Sequence, residues 1–505
     1  MLVSVPRAHR VVQDHPHAGT DSRDRSGGRV HQGSVLVRLS AARAAGLRPL
    51  PVGGSSHPRS AGWITAGSAS RSVAVAATAL SRSGGEVIGS RWENGGVSAL
   101  PPTGEQPPER GTLPTTALAG VGERPFGIYV HVPFCATRCG YCDFNTYTAD
   151  ELAGGGSFRG WLDALRAELD LGARVLGEHG RQVPRADTVF VGGGTPSLLG
   201  GSGLAEVLDA VRASFGLSPD AEVTTEANPE STSPELFASA LEAGYTRISL
   251  GMQSAAEHVL RVLDRRHTPG RAVAAAREAM SEGFEHVSLD LIYGTPGEST
   301  DDLRASLEAV LDAGVDHVSA YSLIVEDGTA MARRVRRGEL PMPDEDVLAA
   351  DYELVDSVLS KAGFDWYEVS NWALGETARC RHNLGYWRGG DWWGAGPGAH
   401  SHVGGVRWWN LKYPARYAAA LGEGLSPAVG REVLGAEDQR VERVMLELRL
   451  SEGLAVEALD EAGVAEAWRA VTDGLLRSDA LRAGRCVLTD RGRLLADGVV
   501  RRLIA

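Results

Sequence analysis

The sequence predicts an α/β protein in which six strand–helix units form a parallel sheet, closed wholly or partly into a TIM-like barrel. A small α/β domain of winged-helix type follows. Three observations carry this. Short apolar runs alternate with longer amphipathic stretches from Phe126 onward. The runs are apolar throughout rather than at every second position, as strands buried on both faces are. The distinctive polar residues and cysteines fall just after those runs, where β/α barrels carry their chemistry.

In chain order, residues 1–122 are rich in Gly, Ser, Pro, Arg and His and lack any sustained period, so they read as a disordered extension. An organelle presequence fits poorly, because Gly and Pro break the amphipathic helix it needs. Translation from about Val97 is a third reading of the same stretch. Residues 123–360 hold the barrel. The strand runs are 127–132, 188–191, 222–225, 247–250, 287–292 and 317–323. Helical patterns cover 161–176, 204–215, 234–243, 272–282 and 303–313. Residues 361–430 form an aromatic-rich segment that completes the core. From 431 to 505 the pattern changes to helices at 438–448, 455–461 and 465–477, a strand at 485–489 and a last helix over 491–503.

Of 505 residues, 43% are hydrophobic and 23% charged, as in ordinary globular proteins. The net charge of −13 argues against a nucleic-acid binder. Residues 1–96 carry +7, leaving −20 for the rest. Lys361 and Lys412 are the only lysines. Five cysteines are too few for a disulfide scaffold of this length, and a reducing compartment fits them better. No apolar run is long enough to cross a bilayer, so the chain reads as cytoplasmic.

Cys135, Cys139 and Cys142 leave the first strand in an irregular loop. Thiolates suit zinc or an iron–sulfur cluster. Zinc wants four closed ligands, usually as two pairs, and no second pair follows. Three thiolates can hold three irons of a [4Fe–4S] cube and leave the fourth open to the amino and carboxylate groups of S-adenosylmethionine (SAM).

Cys-x3-Cys-x2-Cys with Tyr141 before the last cysteine resembles the radical SAM superfamily. Tyr129-Val130-His131-Val132-Pro133-Phe134-Cys135 is similar to its branch of oxygen-independent coproporphyrinogen III oxidases and haem chaperones. The resemblance runs from about Phe126 to the C-terminus and implies a partial (β/α)6 radical SAM barrel. It implies that Tyr129, Gly194, Thr195, Pro196 and Glu226 meet SAM beside the cluster. Gln253, Arg265 and Asp290 match residues that contact a second SAM in the oxidase. The oxidase has a further cysteine two residues after the third ligand, where this chain has Phe144. His382-Asn383-Leu384-Gly385-Tyr386-Trp387 resembles the chaperones' haem-binding motif. That implies His382 as a haem-iron ligand, with Tyr386 and Trp387 against the macrocycle. Cys380 is a weaker axial candidate. His400, His402 and Cys486 read as structural.

The resemblance therefore implies a haem chaperone. It would take haem as cargo, pass it to apo-haemoproteins, especially respiratory ones, and keep a [4Fe–4S] cluster and SAM. It would bind no nucleic acid, form a homodimer and touch membranes only transiently. The alternative is a coproporphyrinogen III oxidase, which Phe144 and the His382 run oppose.

Overall fold

The computed structural model describes residues 104–152 and 156–505. The readings made for residues 1–103, including a start at Val97, lie outside the described residues. Between 104 and 122 the expectation of disorder is corrected. Ala117 and Leu118 are buried in the main core, and Glu105 pairs through its backbone with Arg431. Two apolar side chains and a ladder contact are enough to pin a segment that has no periodic pattern of its own.

Six parallel strands follow in sequence order: β1 (Phe126–Val132), β2 (Ala186–Gly193), β3 (Leu217–Ala227), β4 (Arg247–Gln253), β5 (His286–Tyr293) and β6 (His317–Ser322). Between them run α1 (Phe158–Leu176), α2 (Gly200–Ser214), α3 (Pro234–Ala243), α4 (Arg271–Glu282) and α5 (Thr300–Ala313). The helix signals are local. Ser299 and Asp302 form a reciprocal capping box on α5, and Gly314 ends that helix at φ +79°, where a side chain would be strained. The apolar stripes of these helices pack on the outer face of the strands and build one continuous core.

The barrel closes only in part. Beyond β6 the sheet continues antiparallel through β8 (Asn371–Ala373) to β7 (Asp365–Glu368). On the other side β1 pairs in parallel with β9 (Asp391–Ala395), and β10 (His400–Val403), β11 (Val406–Asn410) and β12 (Ala428–Val433) extend it antiparallel. β6 pairs with β8 and not with β1, so the twelve strands make an open, curved sheet. Between β8 and β9 lies the helix α6 (Arg381–Trp387).

Past β12 the chain forms a unit with its own core, built on Val444, Leu454, Cys486 and Val500. One expected helix is absent from it. Residues 455–461 hold only a 3₁₀ turn at Val456–Ala458, because Leu454 and Ala455 pair with Cys486 and Arg485 in a two-stranded ladder. The strand expected at 485–489 shortens to those two residues.

Candidate functional site

The cysteine loop leaves β1 at the C-terminal mouth of the barrel. Cys135 N donates to Tyr147 O at 3.0 Å and Tyr147 N to Pro133 O at 2.7 Å, which closes the excursion at its base. Gly140 N bonds Leu263 O, and Met331 N bonds Gly140 O, so two neighbouring segments hold its tip. The three sulfurs are half-buried. Burial pushes the Cys135 thiol up and the Cys142 thiol up to about 12. Thr195 Oγ1 donates to Cys135 Sγ at 3.7 Å, and Arg265 Nη1 to Cys139 Sγ at 3.6 Å. Such donors stabilise sulfur-borne charge and tune a cluster's potential. Among the described residues no three His, Cys, Asp or Glu side chains converge as ligands of a single ion. Three thiols on one loop suit three irons of a [4Fe–4S] cube.

The glycine turn after β2 lies directly against this loop. Gly194 N donates to Val132 O at 2.7 Å and Thr195 N to Phe134 O at 2.8 Å. A Cβ on Gly194 would stand 2.4 Å from Phe134 O, so the bare backbone is needed by the protein itself, not only by a ligand. Pro196 opens the 3₁₀ turn Pro196–Leu199 that follows. Glu226, ending β3, accepts from Gly193 N at 2.9 Å. Tyr129 is buried, its ring 6.4 Å from that of Phe190. Burial and the Glu226 carboxylate keep its phenol protonated.

Gln253 ends β4 on a bulge, with φ at +67°. A non-glycine residue held there is strained, and such strain gathers at ligand sites. Arg265 Nη2 donates to Gly251 O at 3.0 Å, so Arg265 ties the bulge to Cys139. Asp290 sits deeper in the lumen. It accepts from Ser249 Oγ at 2.9 Å, and burial raises its carboxyl to about 6. The residues expected to meet SAM thus converge on one mouth, with Asp290 below them.

His382 is elsewhere. It rises from α6 into the N-terminal end of the barrel, 3% exposed, beside Gly127 of β1. Its Nδ1 bonds Thr188 Oγ1 at 2.8 Å and its Nε2 bonds Tyr386 OH at 2.9 Å. The ring stacks on Phe190 at 5.3 Å. Glu222 fixes α6 from below: one oxygen accepts from His382 N at 2.9 Å, the other from Arg381 N at 3.0 Å and Arg247 Nε at 3.3 Å. For His382 to ligate haem iron, as the motif implies, one of these two hydroxyl bonds must give way. Tyr386 and Trp387 are buried too, and so are Trp372, Trp392, Trp393, Trp408 and Trp409. The tryptophan density of this region is core packing. Cys380 is also buried, its thiol driven far up by burial and by Glu222, so it offers no thiolate. Cys486 is buried as expected.

Several site residues had no assigned role in the sequence. His131 Nε2 donates to Asn145 O at 2.9 Å, which leaves Nδ1 to accept from Tyr129 OH at 3.0 Å. Burial keeps this imidazole neutral. Two positions after Tyr129, it shares the lumen face by strand alternation. Asn145 Nδ2 donates to Pro397 O at 2.9 Å and Lys412 O at 2.8 Å, bolting the cysteine loop to the β9–β11 extension.

A half-open β/α barrel with three thiols and a glycine turn at one mouth defines a radical SAM protein. The family model described as the radical SAM superfamily matches residues 129–310. Heme chaperone HemW of Mycobacterium tuberculosis (strain ATCC 25618 / H37Rv) is 61% identical over 387 residues, 77% of this chain and 97% of that protein. Heme chaperone HemW of Bacillus subtilis (strain 168) is 32% identical over 74% of this chain and 97% of its own length. The chain belongs to the HemW family, and membership of the superfamily implies a [4Fe–4S] cluster and SAM. The solved Escherichia coli coproporphyrinogen III oxidase (HemN), a radical SAM enzyme, shares the fold with a TM-score of 0.65 at 23% identity. The match covers 77% of this chain and 92% of that one. No helix among the described residues is long and apolar enough to cross a membrane.

Proposed function

We propose that this protein is a cytoplasmic haem carrier that passes haem to apo-haemoproteins, respiratory enzymes among them. The observation that carries the reading is the 61% identity to a Heme chaperone HemW along 97% of that relative. Cys135, Cys139 and Cys142 hold the [4Fe–4S] cluster. Tyr129, Gly194, Thr195, Pro196 and Glu226 shape the SAM site, and Gln253, Arg265 and Asp290 border room for a second SAM. When bound, the cluster supplies an electron and an open iron for SAM. Arg265 and Thr195 stabilise charge on the coordinating sulfurs, and His131 fixes the Tyr129 hydroxyl. The protein works as a homodimer, meets membranes transiently to reach its recipients, and binds no nucleic acid.

The test uses full-length protein with its cluster reconstituted anaerobically. Hemin titration should give a saturable Soret band, and added apo-acceptor should take the haem over. Absence of a Soret shift, or formation of protoporphyrinogen IX from coproporphyrinogen III with SAM and a reductant, overturns the carrier reading.

A further inference from the structure

Three side chains hold the entry to α6, the helix that carries His382. Arg247 Nη2 donates to Ala378 O at 2.8 Å, Glu222 accepts from Arg381 N and His382 N, and Tyr367 OH accepts from Cys380 N at 3.2 Å. Arg247 and Glu222 bond each other, whereas Tyr367 leads back towards the SAM end. Its hydroxyl meets His317 Nε2 at 2.8 Å, and His317 Nδ1 meets Ser288 Oγ at 2.8 Å. Ser288 lies two residues before Asp290 on the same face of β5, and its Oγ donates to Asp290 Oδ1 at 3.4 Å. Tyr367, His317 and Ser288 are all buried. A relay of hydrogen bonds therefore joins Asp290 to the start of α6.

The protons in this relay have one satisfied arrangement. Cys380 N–H takes up a lone pair of the Tyr367 oxygen, so the phenol proton goes to its other partner, His317 Nε2. Burial, then the charges of Arg247 and His286, keep His317 neutral. Its single N–H then lies on Nδ1 and donates to Ser288, whose own proton goes to Asp290. Every donor points towards the Asp290 carboxylate. The reverse order would leave the Tyr367 proton buried without an acceptor, which is costly. The last link is the longest, and it is the one that the carboxylate's charge strengthens.

We propose that His317 and Tyr367 are positioning residues through which occupancy of the SAM site at Asp290 loosens α6 and opens His382 to haem. This rests on the carrier reading above and on Asp290 bordering SAM. Asp290, once it accepts from a donor group of SAM, has less charge to offer Ser288. With that link weakened, Tyr367 holds Cys380 N less firmly, and His382 can exchange a hydroxyl partner for iron. By linkage, haem must tighten SAM binding by the same factor.

The experiment titrates hemin into full-length, cluster-reconstituted protein with and without saturating SAM, read by Soret absorption. SAM should tighten hemin binding at least about fivefold in the wild type. Tyr367→Phe and Ser288→Ala cut the relay at opposite ends, and each should bring that factor down to about one. Nitrogen-15 spectra of the imidazoles, with His317 assigned from His317→Gln, should show the proton on Nδ1. A wild type indifferent to SAM, variants that keep the full factor however weakly they bind, or a proton on Nε2 overturns this inference alone. Wild-type protein that takes up no hemin overturns the carrier reading, and protein that binds no SAM overturns the SAM reading, each taking this inference with it.

Discussion

The two ends of the barrel are built on opposite principles. At the N-terminal end Glu222 gathers His382 N, Arg381 N and Arg247 Nε while Thr188 and Tyr386 hold the His382 ring, and Arg247 Nη1, Asn383 Oδ1 and Trp387 Nε1 stay buried without a hydrogen-bond partner. At the C-terminal end stand three half-buried thiols, a buried Gln253 held at positive φ, and a carboxyl at Asp290 raised by burial. A buried network of this kind adds rigidity where its members satisfy each other, and the atoms it leaves unpartnered are costly.

Substitutions should separate the ends. The largest effect is expected at the thiols. Replacing Cys135, Cys139 or Cys142 with Ser should abolish the visible absorbance of the reconstituted cluster, whereas Cys380→Ser and Cys486→Ser should retain it. Next comes stability at the floor. His382→Ala removes a buried stacked ring and strands Thr188 and Tyr386, so urea unfolding should show a loss of about 3 kcal/mol.

Asp290 should behave in the opposite sense. Its carboxyl titrates near 6 in the folded protein, above its ordinary 3.8, chiefly because burial disfavours the charge. A raised carboxyl favours folding below its unfolded pKa, and that contribution is lost as pH rises through about 6. Asp290→Asn should therefore stabilise the protein by up to about 3 kcal/mol at pH 8 and by almost nothing at pH 3, measured by urea unfolding at both pH values. The smallest effect is at His400. With no hydrogen bond to lose, His400→Ala should shift stability by less than about 0.5 kcal/mol in the absence of haem.

Much of this was legible in the sequence, for reasons that are themselves physical. Parallel strands buried on both faces read as apolar runs, and the order of β1 to β6 follows the chain. The cysteine spacing and the Gly-Thr-Pro turn are local, so their chemistry survives without tertiary information. What did not read was orientation. In Tyr129-Val130-His131 all three residues are buried, so apolarity alone cannot tell lumen from outer face. The His382 motif looks like a ligand site because aromatic residues flank a histidine, yet Thr188 and Glu222, which bond to it, come from strands 194 and 160 residues earlier. Residues 104–122 have no periodicity, and only their contact with β12 and the core reveals them as ordered.

The central claim is that this chain carries haem as cargo beside a separate cluster site. The direct measurement is hemin titration of the full-length, cluster-reconstituted protein, read by Soret absorption. A saturable band whose haem passes to an added apo-acceptor is the predicted result. Absence of any Soret shift would contradict the account.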